Sequence, residues 1–187
     1  MSGETGERAA SASVYAPNTK SEEIEWRTLA AIVDNEPGVL ARVVGLFSAR
    51  GYNIESLTVA ETDREKHTSR ITIVTHGTPS TLEQIKAQLA RLVPVRTVSD
   101  VTLEADGIER ELALVKVASA GEKRVEALRM ADVFRARVID TGAASFVFEV
   151  TGGRQKVNAF IELMEPLGLV EVSRTGVLSI KRGAEAL

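Results

Sequence analysis

The same order of hydrophobic patterns runs through both halves of this chain, and few folds satisfy it. Trp26 to Val33 is an apolar run that ends at Asp34, the mark of a buried strand. Gly38 to Arg50 has helical spacing, with Val39, Val43 and Phe47 on one face, and Gly51 suits the residue just past a helix end. Asn53 to Glu61 alternates as a strand. Thr62 to Thr68 is charged and reads as a hairpin loop, and Ser69 to Thr75 alternates again around Ile71 and Ile73. Pro79 opens a second helix carrying Leu82, Ile85, Leu89 and Leu92; Pro94 stops it, and Val95 to Leu103 is a fourth strand. This β-α-β-β-α-β order predicts an antiparallel sheet with both helices on one face. The opposite face must be covered or remain polar.

A polar joint, Glu104 to Ile108, precedes a second pass through the same order. Glu111 to Val117 is a strand, and Glu122 to Arg135 a helix with Leu128, Ala131 and Phe134 inward. Arg137 to Asp140 and Ser145 to Thr151 are strands joined at Gly142. Gln155 to Glu165 is a helix presenting Val157, Phe160, Ile161 and Met164. Val170 to Arg174 and Val177 to Ile180 make a last strand interrupted at Gly176. The expected fold class is α+β, with two tandem ferredoxin-like βαββαβ domains repeating at roughly 75 residues. Their expected limits are 26–104 and 109–183, after a disordered tail at 1–25 too poor in apolar residues to fold.

Composition excludes several function classes. Twenty-three basic against 26 acidic residues, a net charge of −3, give no electrostatic footprint for nucleic acid, and aromatics at 4% supply few stacking platforms. The chain has no cysteine, so disulfides and thiolate metal sites are out. No apolar run approaches the roughly 20 residues that span a bilayer. The acidic, Ser- and Ala-rich start, with Glu4 and Glu7, fits neither a secretory signal nor a transit peptide. A soluble, cytoplasmic protein is expected.

The chemistry points to the segment between the first strand and the second. Asn35-Glu36-Pro37-Gly38 forms a turn into the first helix, and Gly38 leaves the N–H groups of Val39 and Leu40 approachable by a carboxylate. Pro-Gly is also an ordinary turn, and the commonest task of an Asn at the Asn35 position is capping. Asn53, just past Gly51-Tyr52, offers an amide that can hold either end of an amino acid. Within one βαβ unit the Asn35 and Asn53 ends lie far apart, so they would meet across a symmetric dimer. His67 and His76 lack partners at metal-ligand spacing and read as solvated. Thr151-Gly152-Gly153-Arg154-Gln155-Lys156 lacks the spacing of a phosphate loop, and no Gly-x-Ser-x-Gly elbow is present.

Asn35-Glu36-Pro37-Gly38-Val39-Leu40, then Arg42-Val43-Val44-Gly45-Leu46-Phe47, then Arg50-Gly51-Tyr52-Asn53-Ile54-Glu55-Ser56-Leu57-Thr58-Val59 resembles an ACT domain. More narrowly it resembles the small regulatory subunits of acetolactate synthase. Glu109-Arg110-Glu111-Leu112 and Arg174-Thr175-Gly176-Val177 extend the likeness, which covers roughly Glu25 to Gly183. Pro37 stands where some members have Ser, and the tail before Trp26 is longer than in short bacterial members. The resemblance implies a chain that is not catalytic by itself. It would pair through its ACT domains and bind the large catalytic subunit, whose cofactors are thiamine diphosphate, magnesium and FAD, with no cofactor of its own. It would activate that subunit and confer feedback inhibition by valine. The family pattern maps the effector site onto Asn35, Gly38, Val39 and Leu40 of one subunit and Asn53 and Ile54 of the other. The rival readings are a stand-alone amino-acid sensor of the ACT class and an enzyme with its site between the two domains.

Overall fold

The computed structural model describes residues 23–103 and 107–184. The tail expected at 1–25 lies outside the described residues except for its last three, and Glu25 already belongs to the first strand. Residues 104–106 of the polar joint also lie outside them.

The first half is β1 (Glu25–Asp34), α1 (Val39–Ala49), β2 (Ser56–Asp63), β3 (Thr68–Gly77), α2 (Pro79–Leu89) and β4 (Val95–Asp100). All pairings are antiparallel and the sheet order is β2-β3-β1-β4. The second half repeats it with β5 (Ile108–Ala118), α3 (Gly121–Val133), β6 (Arg137–Thr141), β7 (Ser145–Gly152), α4 (Arg154–Met164) and β8 (Leu169–Arg174), in the order β6-β7-β5-β8. β9 (Leu178–Ile180) continues past the interruption at Thr175–Val177 and pairs with the other end of β5. The repetition reaches individual backbone bonds. Asp34 N–H donates to Pro94 O and Asn35 N–H to His67 O; Ala118 N–H donates to Gly168 O and Ser119 N–H to Ala144 O.

Each half has its own core between sheet and helices. Leu29, Ala31, Val33, Ile71 and Ile73 from the sheet meet Val43, Phe47, Leu82, Ile85 and Leu89 from α1 and α2. In the second half Val115, Val117, Phe148 and Val150 meet Ala127, Ala131, Val157, Phe160 and Met164. Helix signals act where the residues suggest. Pro79 opens α2, and the Thr78 hydroxyl accepts from Thr81 N–H. α3 buries Ala127 and Ala131, while Leu128 and Phe134 lie at the core margin.

The two sheets differ on the face away from their helices. In the first sheet Thr28, Ala30, Thr72 and Val74 are buried, because the segment around β9 lies over them. Val177 N–H donates to Ser56 Oγ at 2.9 Å, Thr58 Oγ1 donates to Val177 O at 3.3 Å, and Arg70 Nη2 donates to Ser179 O at 2.8 Å. Burial pushes the Arg70 pKa down from its ordinary value. Gly176 makes this approach possible. Its φ is +81°, and a Cβ there would lie 2.5 Å from Ser56 Oγ. The matching face of the second sheet is mixed: Leu114 and Val147 lie beside Lys116, which pairs with Glu171, and Arg137 pairs with Glu149.

Candidate functional site

The expected site falls where β1 turns into α1. Asn35 to Gly38 are exposed, and Gly38 occupies the N-cap position of α1 with φ 88° and ψ −5°. A Cβ at Gly38 would meet nothing within 4 Å. No side chain caps the helix. A left-handed residue is the function of glycine here, and the uncapped start leaves helix donors pointing outward.

The free donors differ by one position from expectation. Val39 N–H closes the turn onto Glu36 O at 3.3 Å, and the first helical bond runs from Arg42 N–H to Gly38 O at 3.0 Å. Leu40 and Ala41 therefore carry the open amides among the described residues, and Ala41 was not among the expected residues. The Val39 side chain points into the core, while Leu40 is exposed.

Asn35 does not cap the helix. Its amide donates to Glu61 Oε1 at 3.3 Å, so the residue ties the β1 end to β2. Asn53 precedes β2 by three residues instead of opening it, since pairing with β3 starts only at Ser56. Its carbonyl accepts from Thr75 Oγ1 at 2.6 Å, and its amide donates to Glu55 Oε1. Ile54 is half-buried against the first core. Asn35 thus sits beside His67 and Asn53 beside Thr75, at opposite ends of β3, separated by about 26 Å at the usual strand rise. One chain does not bring the two together.

The histidines differ from their expected solvated state in one case. His67 is exposed in the β2–β3 turn at φ 47°. His76 is half-buried; its ring packs on Trp26 with centroids 4.9 Å apart, and its Nδ1 lies 3.1 Å from Glu55 Oε1. That contact has ion-pair distance without hydrogen-bond alignment. Pattern reading misses it, because β1–β3 register alone sets Trp26 opposite His76. Among the described residues no group of three or more His, Asp or Glu is arranged to hold a metal, and no helix is long and apolar enough to cross a membrane.

Two βαββαβ units in tandem, the first with a glycine-opened, uncapped helix start, give the chain the architecture of paired ACT-type domains. The profile of an acetohydroxyacid synthase small subunit-like ACT domain matches residues 29–97, and that of the small subunit of acetolactate synthase matches residues 110–183. The chain is 47% identical over 156 residues to a probable acetolactate synthase small subunit of Archaeoglobus fulgidus, covering 83% of this chain and 96% of the relative. It is 44% identical over 158 residues to the acetolactate synthase isozyme 3 small subunit of Escherichia coli, covering 84% and 96%. The crystal structure of the acetolactate synthase small subunit from Thermotoga maritima superposes with a TM-score of 0.76 at 36% identity, covering 86% of this chain and 99% of that one. The chain belongs to the acetolactate synthase small subunit family.

Proposed function

We propose that this chain is the regulatory subunit of acetolactate synthase, activating a separate catalytic subunit and conferring feedback inhibition by valine. The N-terminal unit, 26–104, is the effector-binding and pairing domain in this reading, and 109–183 is its ACT-like companion. The observation that carries it is the exposed α1 start, opened by a left-handed Gly38 and left uncapped, with Asn53 at the far end of the same sheet.

Pairing two copies completes the niche. β2 is an edge strand, and Val59 to Thr62 along it are exposed. An edge strand presents unpaired backbone groups that suit strand addition. Antiparallel pairing of β2 with its copy about a two-fold axis sets the Asn53 end of one chain beside the Glu61 and Asn35 end of the other. Valine's carboxylate then lies on the Leu40 and Ala41 amides of one chain, where a helix start favours an anion. Its ammonium meets the Asn53 side-chain oxygen of the other. Its isopropyl group packs between Leu40 and Ile54, and burying it contributes about 1.5–3 kcal/mol. One methyl group is worth roughly 1–3 kcal/mol of discrimination, so alanine binds poorly while leucine and isoleucine compete. Inhibition follows because the ligand favours one arrangement of the pair over another.

The test is reconstitution. Purified chain added to purified catalytic subunit is expected to raise the rate of acetolactate formation, and valine is expected to lower it again. Acetolactate formation by this chain alone, or a rate of the mixture indifferent to both the chain and valine, overturns the reading.

A further inference from the structure

A line of touching side chains leads from Asn53 to the second half of the molecule. Asn53 donates its amide to Glu55 Oε1, and His76 Nδ1 lies 3.1 Å from that same oxygen. The His76 ring rests on Trp26 at a centroid distance of 4.9 Å and a tilt of 43°. On Trp26 sits Arg154, with its guanidinium carbon 3.8 Å from the ring centroid. Arg154 is the first residue of α4, so the contact crosses between the halves. Among the described residues its side chain has no hydrogen bond or ion pair, and the Trp26 ring is the guanidinium's contact. Two clefts between the halves, of about 600 and 330 Å³, are both lined by Arg154 and Val177, so the guanidinium has room to move.

A second tie starts one residue beyond Glu55. Ser56 and Thr58 bind the two backbone groups of Val177, and Gly176 lies against them. Any shift of Asn53 to Glu55 is therefore passed to β2 and from there to the strand that covers the first sheet.

We propose that Glu55, His76, Trp26 and Arg154 form a relay that reports occupancy of the Asn53 niche to the start of α4. The relay rests on the reading of that niche as an amino-acid site. A ligand ammonium that engages the Asn53 side-chain oxygen turns the amide and draws its N–H group away from Glu55 Oε1. The Glu55 carboxylate then turns toward His76 and brings their contact into hydrogen-bond alignment, the imidazole moves on the indole, and Arg154 follows the indole. Both ends bias the same element, so the coupling is reciprocal: restraining α4 alters ligand affinity by the factor with which the ligand alters α4. A rigid brace would show neither effect, because equal contacts in both states shift nothing.

Trp26 is the single tryptophan of the chain and reports on the middle of the relay. The full chain is titrated with valine, following heat by calorimetry and Trp26 emission by fluorescence. The expected result is a saturable emission change with the calorimetric midpoint. In His76→Phe, which keeps a ring on Trp26 and removes the contact to Glu55, the emission change is expected to fall at least fivefold while valine still gives heat. In Arg154→Gln the dissociation constant of valine is expected to move at least threefold, although residue 154 does not touch the niche. Heat in the wild-type chain with silent Trp26 emission, or an unchanged constant in Arg154→Gln, overturns the relay and leaves the niche standing. No heat in the wild-type chain overturns both.

Discussion

Replacing Gly38 separates charge from shape at the proposed niche. Its φ of 88° is left-handed, and a Cβ there meets nothing within 4 Å. Any L-residue therefore pays only for the backbone, roughly 1–2 kcal/mol, and Asn and Asp tolerate it best. Gly38→Asp and Gly38→Asn are nearly equal in size and carry the same strain, so their ratio isolates one negative charge. If that carboxylate sits about 4 Å from the effector's, the repulsion is about 4 kcal/mol at an effective dielectric constant near 20 and about 1 kcal/mol in bulk water. Those energies correspond to roughly 1,000-fold and fivefold losses of affinity. The ratio thus reads out how far a second copy closes the shelf over the ligand. Calorimetry of valine against both variants measures it, and the closed niche predicts an Asp-to-Asn ratio well above fivefold that shrinks with added salt. Activation of the catalytic subunit is expected to survive in both, since neither change disturbs packing. Equal valine affinity in Asp and Asn variants refutes the placement of the carboxylate at this helix start.

Other positions test the fold that holds the niche. Phe160 is fully buried between Phe134 and Phe148, with ring centroids 5.4 and 6.0 Å away. Phe160→Ala is expected to cost about 3–5 kcal/mol, read as a lower calorimetric melting transition of the second half; a loss under about 1 kcal/mol contradicts the packing. Gly176→Ala adds left-handed strain of roughly 1–2 kcal/mol and displaces the Ser56 bond to Val177, worth about 1 kcal/mol. Faster hydrogen exchange at Val177 is the expected sign, and Ser56→Ala in the same chain should relieve the clash but not the strain. The Lys116 hydrogen bond, and then its charge, hold the Glu171 carboxyl below its ordinary pKa. Lys116→Met is expected to raise the Glu171 midpoint in an NMR titration. A carboxylate held low contributes stability above its unfolded pKa and loses it as pH falls through the folded value, so the wild type should lose more on acidification than the variant.

The pattern of apolar residues carried most of the architecture. Leu82, Ile85 and Leu89, and later Val157, Phe160 and Met164, lie on single helix faces and do line the two cores. The Gly51 stop and the Pro79 start act locally, so the sequence around them suffices. Even the interruption of the last strand at Gly176 was legible, because glycine in a strand marks a close approach. What the strand approaches was not legible, since Ser56 is 120 positions away and only the tertiary fold brings them together. The site divides in the same way. The Gly38 conformation follows from the residue itself. The partners of Asn35 and Asn53, Glu61 and Glu55, are set by which strand ends lie side by side, and the capping role expected for Asn35 lost to that contact. His76 read as solvated because nothing in its own strand announces Trp26 opposite.

The contrast between β1 and β5 gives the duplication its physical meaning. Both are central strands of the same topology. β1 is buried from Arg27 to Ala31 without a break, whereas β5 alternates, with Ala113, Val115 and Val117 inward and Lys116 outward. A continuous buried run belongs to a strand covered on both faces, and alternation to one covered on a single face. The residues that turn away from the first core, Thr28, Ala30 and Thr72, are small, so the backbone around Val177 can lie close to the sheet. The matching face of the second sheet carries ion pairs that favour water, and exposed pairs of that kind add little stability. The two halves are therefore not interchangeable. The first lends its open face to the second and, among the described residues, keeps its β2 edge unpaired, so a change at that edge passes to the segment that covers the sheet through Ser56 and Thr58 as well as to β3 through the strand pairing.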